Sequence, residues 1–234
     1  MPSSRTAHVS LQARGAAIEP HVAGLDYREP MSDAAIRVVP VDEVPWHDVQ
    51  TVFGTRGDPA GCWCQWFKAS TASWRHEDTA TRQSALQEQA HGHPAPGLIA
   101  YLHDEPAGWV AVEPRSAYPR LLSSRLLTAA ARLQEGFTPA DDEGIWSVTC
   151  FVVRVGYRRR GIAGSLLAAA IGYATASGAR IIEAYPNDTD EKKVSSADLY
   201  HGPLSTFLAA GFTVTLRPET GRAVVRFENA QENS

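Results

Sequence analysis

One continuous segment constrains the fold of this 234-residue chain more than any other. It begins with an apolar strand predicted at Val148–Val153, passes through a turn rich in arginine and glycine, and opens directly into a helix predicted at Gly161–Ser177. A strand, a helix and the further strand predicted at Arg180–Ala184 together indicate a parallel β-α-β unit. The apolar residues of the helix recur at helical spacing along one face, and they are Ile162, Leu166, Leu167, Ala170, Ile171 and Ala174.

The turn between this strand and helix has the chemistry of an anion site. The first turn of a helix carries N–H groups without intrahelical acceptors, and the helix dipole favours negative charge there. Gly161, Ala163 and Gly164 are small enough to let an anion reach that backbone, and Arg158–Arg160 add positive charge to a chain of net charge −4. The turn matches neither the dinucleotide-binding Gly-x-Gly-x-x-Gly nor a P-loop. The alternative is an ordinary buried helix with a basic first turn.

Strands and helices alternate along the rest of the chain. The predicted strands are 35–39, 97–103, 107–112, 145–153, 180–184, 212–216 and 223–227. The predicted helices are 45–53, 74–90, 121–133, 161–177 and part of 195–210, with a Gly/Pro loop over 53–62. This order predicts an α/β fold with a mixed sheet, a hairpin at 97–112 and no internal repeat.

Composition bounds the class of protein. With 44% hydrophobic and 21% charged residues, the sequence predicts one well-cored domain at 35–230 and no nucleic-acid partner. No apolar run approaches the ~18–20 residues that span a bilayer, and no signal-peptide pattern is present, so we expect a cytoplasmic protein without a membrane partner. The three cysteines do not indicate a disulfide framework. Residues 1–34 lack sustained apolar periodicity, which predicts either a flexible leader or arm, or a true start at Met31.

Two motifs resemble the GNAT acetyltransferase superfamily. Arg158-Arg159-Arg160-Gly161-Ile162-Ala163 resembles its Arg/Gln-x-x-Gly-x-Gly/Ala turn, and Phe207-Leu208-Ala209-Ala210-Gly211-Phe212 resembles its aromatic-x-x-x-Gly-Phe landmark. The matching order of elements covers roughly residues 97–228. The resemblance implies the GNAT acyl-CoA N-acyltransferase fold, in which a central, mostly antiparallel sheet contains one parallel β-α-β unit and its strands splay at the CoA site.

The resemblance also implies acetyl-CoA as the co-substrate. In that family the turn grips the pyrophosphate, and the strand before it binds the pantetheine arm through backbone hydrogen bonds. The cofactor-binding residues implied here are Phe151, Val152, Val153, Arg158, Arg159, Arg160, Gly161, Ile162, Ala163, Gly164 and Ser165.

Catalysis in the family is a direct transfer to an amine in a ternary complex. An amine with a pKa of about 10.4 must lose a proton before it attacks, so the site needs a base and an acid. Phe207 stands where the family's usual acid is a tyrosine, and Ser147 stands where some members have a glutamate. We nominate Tyr200 and Ser205 as proton donors and Glu113 as the base. The structural alternatives are a tyrosine that packs a helix start, a serine that caps it and a carboxylate at a solvated strand end.

Other titratable residues near the same elements carry weaker predictions. His201 has a suitable unperturbed pKa, but its His-Gly-Pro context is typical of a turn. Glu183 and Tyr185 follow the helix on the next strand and are remoter candidates. Cys150 on the central strand is more typical of a small buried apolar residue than of a nucleophile.

An aromatic segment follows the first predicted helix. In the GNAT layout this region forms a wall of the acceptor pocket, so the resemblance implies Trp63, Trp66 and Phe67 as substrate-binding residues for an apolar or cationic amine. The alternative is that the three aromatic residues close the core under a surface helix.

The same region invites a zinc interpretation. Cys62 and Cys64 are followed by His91 and His93. The cysteine spacing is not the usual Cys-x2-Cys, and His-x-His before Pro94 indicates a loop. We therefore predict no metal.

Three functions stay open at this point. The leading one is an N-acetyltransferase that acts on a small-molecule amine. The second is a protein acetyltransferase for lysine or an N-terminus, which would need an open groove where the aromatic segment indicates a closed pocket. The third is a non-catalytic acyl-CoA-binding sensor or partner module, for which the missing hydroxyl at Phe207 is the argument. GNAT proteins are often dimers, so a homodimer is a further expectation of the resemblance.

Overall fold

Seven strands form one sheet in the part of the chain that the computed structural model describes, which is residues 36–124, 144–188, 198–217 and 222–229. The strands are β1 (Ile36–Pro40), β2 (Gly97–Leu102), β3 (Glu105–Pro114), β4 (Ile145–Val153), β5 (Ile181–Ala184), β6 (Thr213–Leu216) and β7 (Val224–Glu228). Their order is β1-β2-β3-β4-β5-β7-β6, and every neighbouring pair is antiparallel except β4 and β5. This confirms the predicted mixed sheet with one parallel β-α-β unit. The predicted leader, 1–34, lies outside the described residues.

Seven α-helices accompany the sheet in the same ranges. They are α1 (Trp46–Phe53), α2 (Gly57–Cys62), α3 (Thr71–His76), α4 (Thr79–Gln89), α5 (Pro119–Leu122), α6 (Ile162–Ala176) and α7 (Leu204–Ala209). Short 3-10 turns occupy 41–43, 115–117, 155–157 and 198–201. No helix in the described ranges is long and apolar enough to cross a membrane.

Two sequence predictions of local structure were wrong. The loop predicted over 53–62 contains α2, because Pro59 lies in the first helical turn, where its missing N–H costs no hydrogen bond. The helix predicted at 74–90 is two helices, because Asp78 is extended and its carboxylate accepts the Thr81 N–H at 2.8 Å, which starts α4 anew. Of the helix predicted at 121–133, the structure describes only the end of α5, and residues 125–133 lie outside the described part.

The sheet is covered on both faces. The largest apolar cluster joins α6 and α7 to one face, with Val110, Val148 and Ile182 at its centre. A second cluster joins α1 and Trp63 to the opposite face. Helix α6 lies close to β3 because Gly108 has no side chain: a Cβ there would stand 2.9 Å from Ile162 Cγ2 and 3.0 Å from the Val152 carbonyl oxygen.

Strands β4 and β5 separate halfway along β4. Their pairing runs from Ile145–Ile181 to Val148–Ala184 and then stops, while β3 stays paired to β4 as far as Val153. The β3–β4 register shifts at the same point, so that Thr149 is an extra residue in a bulge. The distal half of β4 therefore has one edge that no described strand covers.

A buried ion cluster holds the paired half of the sheet together. The Glu183 carboxylate on β5 accepts hydrogen bonds from Arg226 Nε at 2.8 Å and Nη2 at 2.6 Å, and from Arg115 Nη1 at 2.9 Å. The Tyr185 hydroxyl donates to the same carboxylate at 2.9 Å and lies 3.1 Å from Ser147 Oγ. All five side chains are buried, so their charges and dipoles depend on one another rather than on water.

We predict that Gly108→Ala destabilises the fold, whereas Gly172→Ala on the exposed side of α6 does not. The added methyl at residue 108 would overpack the contact between α6 and the sheet, which typically costs about 1–3 kcal/mol of unfolding free energy. Open space surrounds Gly172, so alanine there should raise helix stability by roughly 0.5–1 kcal/mol. Urea denaturation of both variants measures the difference, and equal midpoints would contradict this account of the packing.

Candidate functional site

The open edge of β4 presents backbone groups in a defined direction. Arg154 N–H donates to the Ala107 carbonyl on β3 at 3.0 Å. Since backbone groups alternate in direction along an antiparallel strand, the N–H and C=O groups of Phe151 and Val153 point away from β3, and those of Val152 point toward it. Of the three residues predicted to bind an extended arm, Phe151 thus offers its N–H and C=O groups and Val153 its N–H, and Val152 packs in the core.

The turn into α6 exposes the first turn of that helix. Gly161 adopts a left-handed conformation at φ 80° as the N-cap, and no side chain caps the helix there. The first-turn N–H groups of Ile162, Ala163 and Gly164 have no intrahelical acceptor, whereas Ser165 N–H already donates to the Gly161 carbonyl at 3.1 Å. No acidic residue lies in this turn to occupy the dipole. The result is a helix N-terminus with unused donors.

Three exposed arginines surround this N-terminus. Arg159 is left-handed at φ 61°, a conformation that non-glycine residues rarely adopt, and Arg158 and Arg160 flank it. Arg158 Nε lies 3.3 Å from the Val153 carbonyl oxygen, so the arginine turn and the end of the open β4 edge are in contact. The two features form one continuous surface: donors and positive charge for a diphosphate, then a strand edge for an extended amide-containing arm.

A buried acid–base pair lies on the opposite face of the sheet from α6. Glu113 on β3 is the register partner of Ser147 on β4, and its carboxylate lies 2.6 Å from Lys68 Nζ. The two side chains are only 11% and 12% exposed. Burial raises the pKa of Glu113 above its ordinary 4.5, and the Lys68 ammonium opposes that rise. Lys68 also donates to Gln89 Oε1 at 2.8 Å, which fixes the ammonium beside the carboxylate.

A tyrosine connects this pair to the β4 bulge. Tyr118 follows β3 and is fully buried, and its hydroxyl lies beside the Glu113 carboxylate and the Thr149 side chain. The hydroxyl has no hydrogen-bond partner of good geometry in the described part of the chain. Burial and the neighbouring Glu113 carboxylate raise the pKa of Tyr118 well above 10. The hydroxyl therefore stays protonated and available as a donor.

The predicted proton donors occupy different environments. Tyr200 is half-buried in the 198–201 turn, where its ring centroid lies 3.9 Å from that of His201. Ser205 is exposed as the second residue of α7 and does not cap it. No hydrogen bond among the described residues joins Ser205 to Tyr200 or Glu113, so the structure brings Tyr200, but not Ser205, into contact with the residues around the bulge.

Phe207 lies in the core rather than in the site. It is fully buried and packs edge-on against Phe151 and Phe212, with centroid distances of 5.9 and 5.3 Å. The position where the resemblance places a tyrosine hydroxyl is thus filled by apolar contacts behind β4.

The three aromatic residues predicted for an acceptor pocket are also separated. Trp63 is buried and stacks on Phe53 at 4.9 Å between centroids. Phe67 is buried with Tyr118, and its ring lies 5.6 Å from that of His201. Trp66 is 36% exposed and lies under the Arg120 guanidinium at 4.0 Å. Phe67 adjoins the buried pair, Trp66 faces the surface, and Trp63 belongs to the core.

The cysteines are accounted for by packing. Cys64 Sγ accepts the Trp109 indole N–H at 3.0 Å, and burial raises the pKa of Cys64 well above 9. Burial likewise raises the pKa of Cys62 to about 11. Within the described ranges, no group of three or more His, Cys, Asp or Glu side chains is arranged to hold a metal ion.

Sequence reasoning missed Lys68 and Tyr118. Lys68 ends the aromatic segment and Tyr118 follows a strand, and neither position has a local pattern that predicts its partner. Both become visible only in the folded chain, where Lys68 meets Glu113 and the Tyr118 hydroxyl lies beside Glu113 and Thr149.

Of two sequence comparisons with known proteins, one finds a match. Residues 63–202 match the model of the Acetyltransferase (GNAT) family. No curated protein matches the chain in sequence. Solved structures with low sequence identity do not indicate function. The family of this chain therefore rests on the match to the family model.

Solved structures resemble the chain only distantly. A putative acetyltransferase, yncA, from Salmonella typhimurium with its cofactor acetyl-CoA shares 13% identity at a TM-score of 0.49, over 86% of this chain and 97% of that one. A GCN5-related N-acetyltransferase from Kribbella flavida shares 15% identity at 0.49, over 85% and 100%. The PaiA N-acetyltransferase from Thermoplasma acidophilum in complex with coenzyme A shares 11% identity at 0.47, over 83% and 99%.

We predict that Phe207→Tyr destabilises the protein by about 1–3 kcal/mol, because it buries a hydroxyl among aromatic rings without a partner. Phe227→Tyr is the matched control, since Phe227 is only partly buried and its hydroxyl has a route to water. Chemical denaturation of the two variants gives the comparison. If Phe207→Tyr left the stability unchanged, residue 207 would have a polar neighbour. The position would then again be a candidate for the functional site.

Proposed function

Because the chain belongs to the GNAT acetyltransferase family, it is an acyltransferase that depends on acetyl-CoA, and we propose that it transfers the acetyl group to a primary amine of a small molecule. The observation that carries the acceptor part of this proposal is the buried Glu113–Lys68 pair beside the β4 bulge. A carboxylate whose side chain is only 11% exposed suits a single amine group better than a whole polypeptide.

The residues of the α6 turn and the β4 edge fit the co-substrate. Unused N–H groups at Ile162–Gly164 and the charges of Arg158–Arg160 suit a pyrophosphate, and the outward backbone groups of Phe151 and Val153 suit the amides of a pantetheine arm. When bound, acetyl-CoA supplies the acetyl group as a thioester. The chain's own part is to orient that group and to exclude water from it.

Glu113 is the base in this proposal. An amine is mostly protonated near neutral pH, so the carboxylate first takes a proton from the ammonium group and becomes the acid form. Burial prepares Glu113 for this step, because a carboxylate whose pKa lies above 4.5 accepts a proton more readily than an exposed one. The Lys68 ammonium keeps the carboxylate ionised until the acceptor arrives.

Two further groups complete the proposed acid–base chemistry. The outward N–H of Phe151 is placed to donate to the charge that develops on the carbonyl oxygen. Tyr200, in the turn that contacts the bulge, donates the proton that the departing sulfur needs. The attacking nitrogen loses a second proton when the C–S bond breaks, and this proton restores the Tyr200 hydroxyl. The proton that Glu113 took from the ammonium group passes to solvent, so each turnover releases one proton.

Two aromatic residues are proposed as the walls of the acceptor site. Phe67 lies beside Tyr118 at the buried end, and Trp66 lies at the surface end of the same segment. Trp63 supports this segment from the core, where its left-handed backbone at φ 47° directs the chain back toward the sheet. An amine with an apolar body suits such a site, because aromatic faces attract both apolar groups and cations.

We predict that Gly164→Asp weakens acetyl-CoA binding without loss of fold stability. Aspartate in the first turn of α6 favours the helix, but its charge opposes a pyrophosphate. Two like charges about 4 Å apart cost roughly 1–4 kcal/mol between aqueous and surface dielectric, so Kd should rise by about fivefold to several hundredfold. Isothermal titration calorimetry gives Kd, and a thermal melt gives stability.

Gly172→Asp is the control for that experiment. It places the same charge on an exposed position of the same helix, away from its N-terminus, so Kd should stay within about twofold of the unsubstituted protein. Equal binding by both variants would contradict the placement of the pyrophosphate at this turn.

We predict that Glu113→Gln removes the acid limb of the pH profile of kcat/KM. The base works only as a carboxylate, so activity should rise with pH through the raised pKa of Glu113, above 4.5, and glutamine has no such transition. Lys68→Met removes the charge that lowers this pKa, so the same limb should move to higher pH. Glu88→Gln on exposed α4 is the control. An unchanged limb in Glu113→Gln would assign the base elsewhere.

The choice of acceptor class is tested with the same assay. A panel of small primary amines and a set of lysine and N-terminal peptides are compared by kcat/KM at equal acetyl-CoA concentration. Preference for small amines supports the proposal, and preference for peptides would replace it with protein acetylation.

A further inference from the structure

The β4 bulge places a backbone carbonyl where no strand can pair with it. Thr149 is the extra residue of the bulge, and β5 ends its pairing one residue earlier at Val148. The Thr149 carbonyl oxygen instead lies 3.1 Å from His201 Nδ1. A buried carbonyl needs a donor, so this histidine replaces the missing strand at the point where the sheet opens.

The partners of His201 define its tautomer. Arg222 Nη1 lies nearest to Nε2 and 3.1 Å from Nδ1, and the Thr149 carbonyl oxygen also lies 3.1 Å from Nδ1. Since a guanidinium can only donate and a carbonyl can only accept, a neutral ring with its proton on Nδ1 gives the carbonyl its donor and leaves Nε2 as the acceptor for Arg222. Burial and the Arg222 charge lower the pKa of His201 well below 6.5, in agreement with a neutral ring.

His201 is held from several sides. It is 5% exposed, and the rings of Phe67 and Tyr200 lie 5.6 and 3.9 Å from its own. Both ring nitrogens are engaged with protein groups, so the side chain has no free nitrogen with which to exchange a proton with a substrate. This geometry excludes the general-acid role that its residue type suggests and leaves a mechanical one.

We propose that His201 is a positioning residue for acetyl transfer: its Nδ1–H fixes the Thr149 carbonyl and thereby aligns the outward N–H of Phe151 with the oxygen of the acetyl group. The Thr149 carbonyl belongs to the peptide between Thr149 and Cys150, and the Phe151 N–H belongs to the next peptide. A rotation of the first peptide therefore changes the direction of the Phe151 N–H. An oxyanion donor is effective only when its direction is fixed before the reaction. This inference rests on the proposed acetyl transfer. It gives His201 no role in binding the co-substrate.

Two amide substitutions distinguish the positioning role from simple loss of packing. In His201→Asn the side-chain amide nitrogen stands near the place of Nδ1, so it retains the bond to Thr149 and loses the one to Arg222. In His201→Gln the amide reaches toward the place of Nε2 and leaves the Thr149 carbonyl without its donor. Both variants remove the ring, so the general cost to packing is shared.

We expect kcat of His201→Asn to stay within about threefold of the unsubstituted enzyme and kcat of His201→Gln to fall roughly 10–100-fold, since a small misplacement of a reacting geometry costs up to about 10²-fold. The Kd for acetyl-CoA, measured by calorimetry, should stay within about twofold in both. Equal loss of kcat in the two variants, or retention of kcat in both, would overturn the proposal.

A readout that does not depend on turnover separates this proposal from the proposed function. In ¹⁵N NMR spectra of the protein, His201 should show the neutral Nδ1–H tautomer, and the Phe151 amide signal should shift in His201→Gln but not in His201→Asn. These signals appear whether or not an amine substrate is found. A protein that shows them and binds acetyl-CoA but acetylates no amine would contradict the proposed function alone, whereas the opposite tautomer would contradict the role of His201 alone.

Discussion

The end of β4–β5 pairing at Val148 and Ala184 is the constraint on which the rest of the site depends. A strand edge can stay open in a folded protein only where other groups satisfy its donors and acceptors. Here His201 takes the Thr149 carbonyl at one end of the open stretch, and Arg158 takes the Val153 carbonyl at the other. The backbone groups of Phe151 lie between them, so the free edge is short and its direction is defined by protein contacts on both sides.

The separation is held at one place by the ion cluster around Glu183. Its carboxylate receives two bonds from Arg226 on β7 and one from Arg115 beyond β3, and these join the strands on both sides of β4 one register before the β4–β5 pairing ends. Buried charges tolerate little displacement, because each loses water and depends on its partner's position. The cluster therefore stabilises the paired half of β4 and β5 next to the point where the two strands separate.

The sequence predicted the elements better than the contacts between them. All seven strands and the β4–α6 turn were predicted, because alternation, helical spacing and glycine position are local properties. The two wrong predictions came from Pro59 in α2 and from Asp78 before α4. Each residue type interrupts a helix in its interior but is favourable where a helix begins. The pairs Lys68–Glu113 and His201–Thr149 join distant segments, so register and burial decide them, and no local pattern encodes either.

The register also relates the proposed base, Glu113, to Ser147, which stands where some family members have a glutamate. Glu113, Ser147 and Glu183 are consecutive partners across β3, β4 and β5, so their side chains lie in one row on one face of the sheet. Glu183 receives four hydrogen bonds, three of them from guanidinium groups. Glu113 has a single ammonium partner, and burial raises its pKa despite that partner. Of the two carboxylates that flank Ser147, Glu183 joins the neighbouring strands, and Glu113 is the one that we propose as the base, one strand away from the central position.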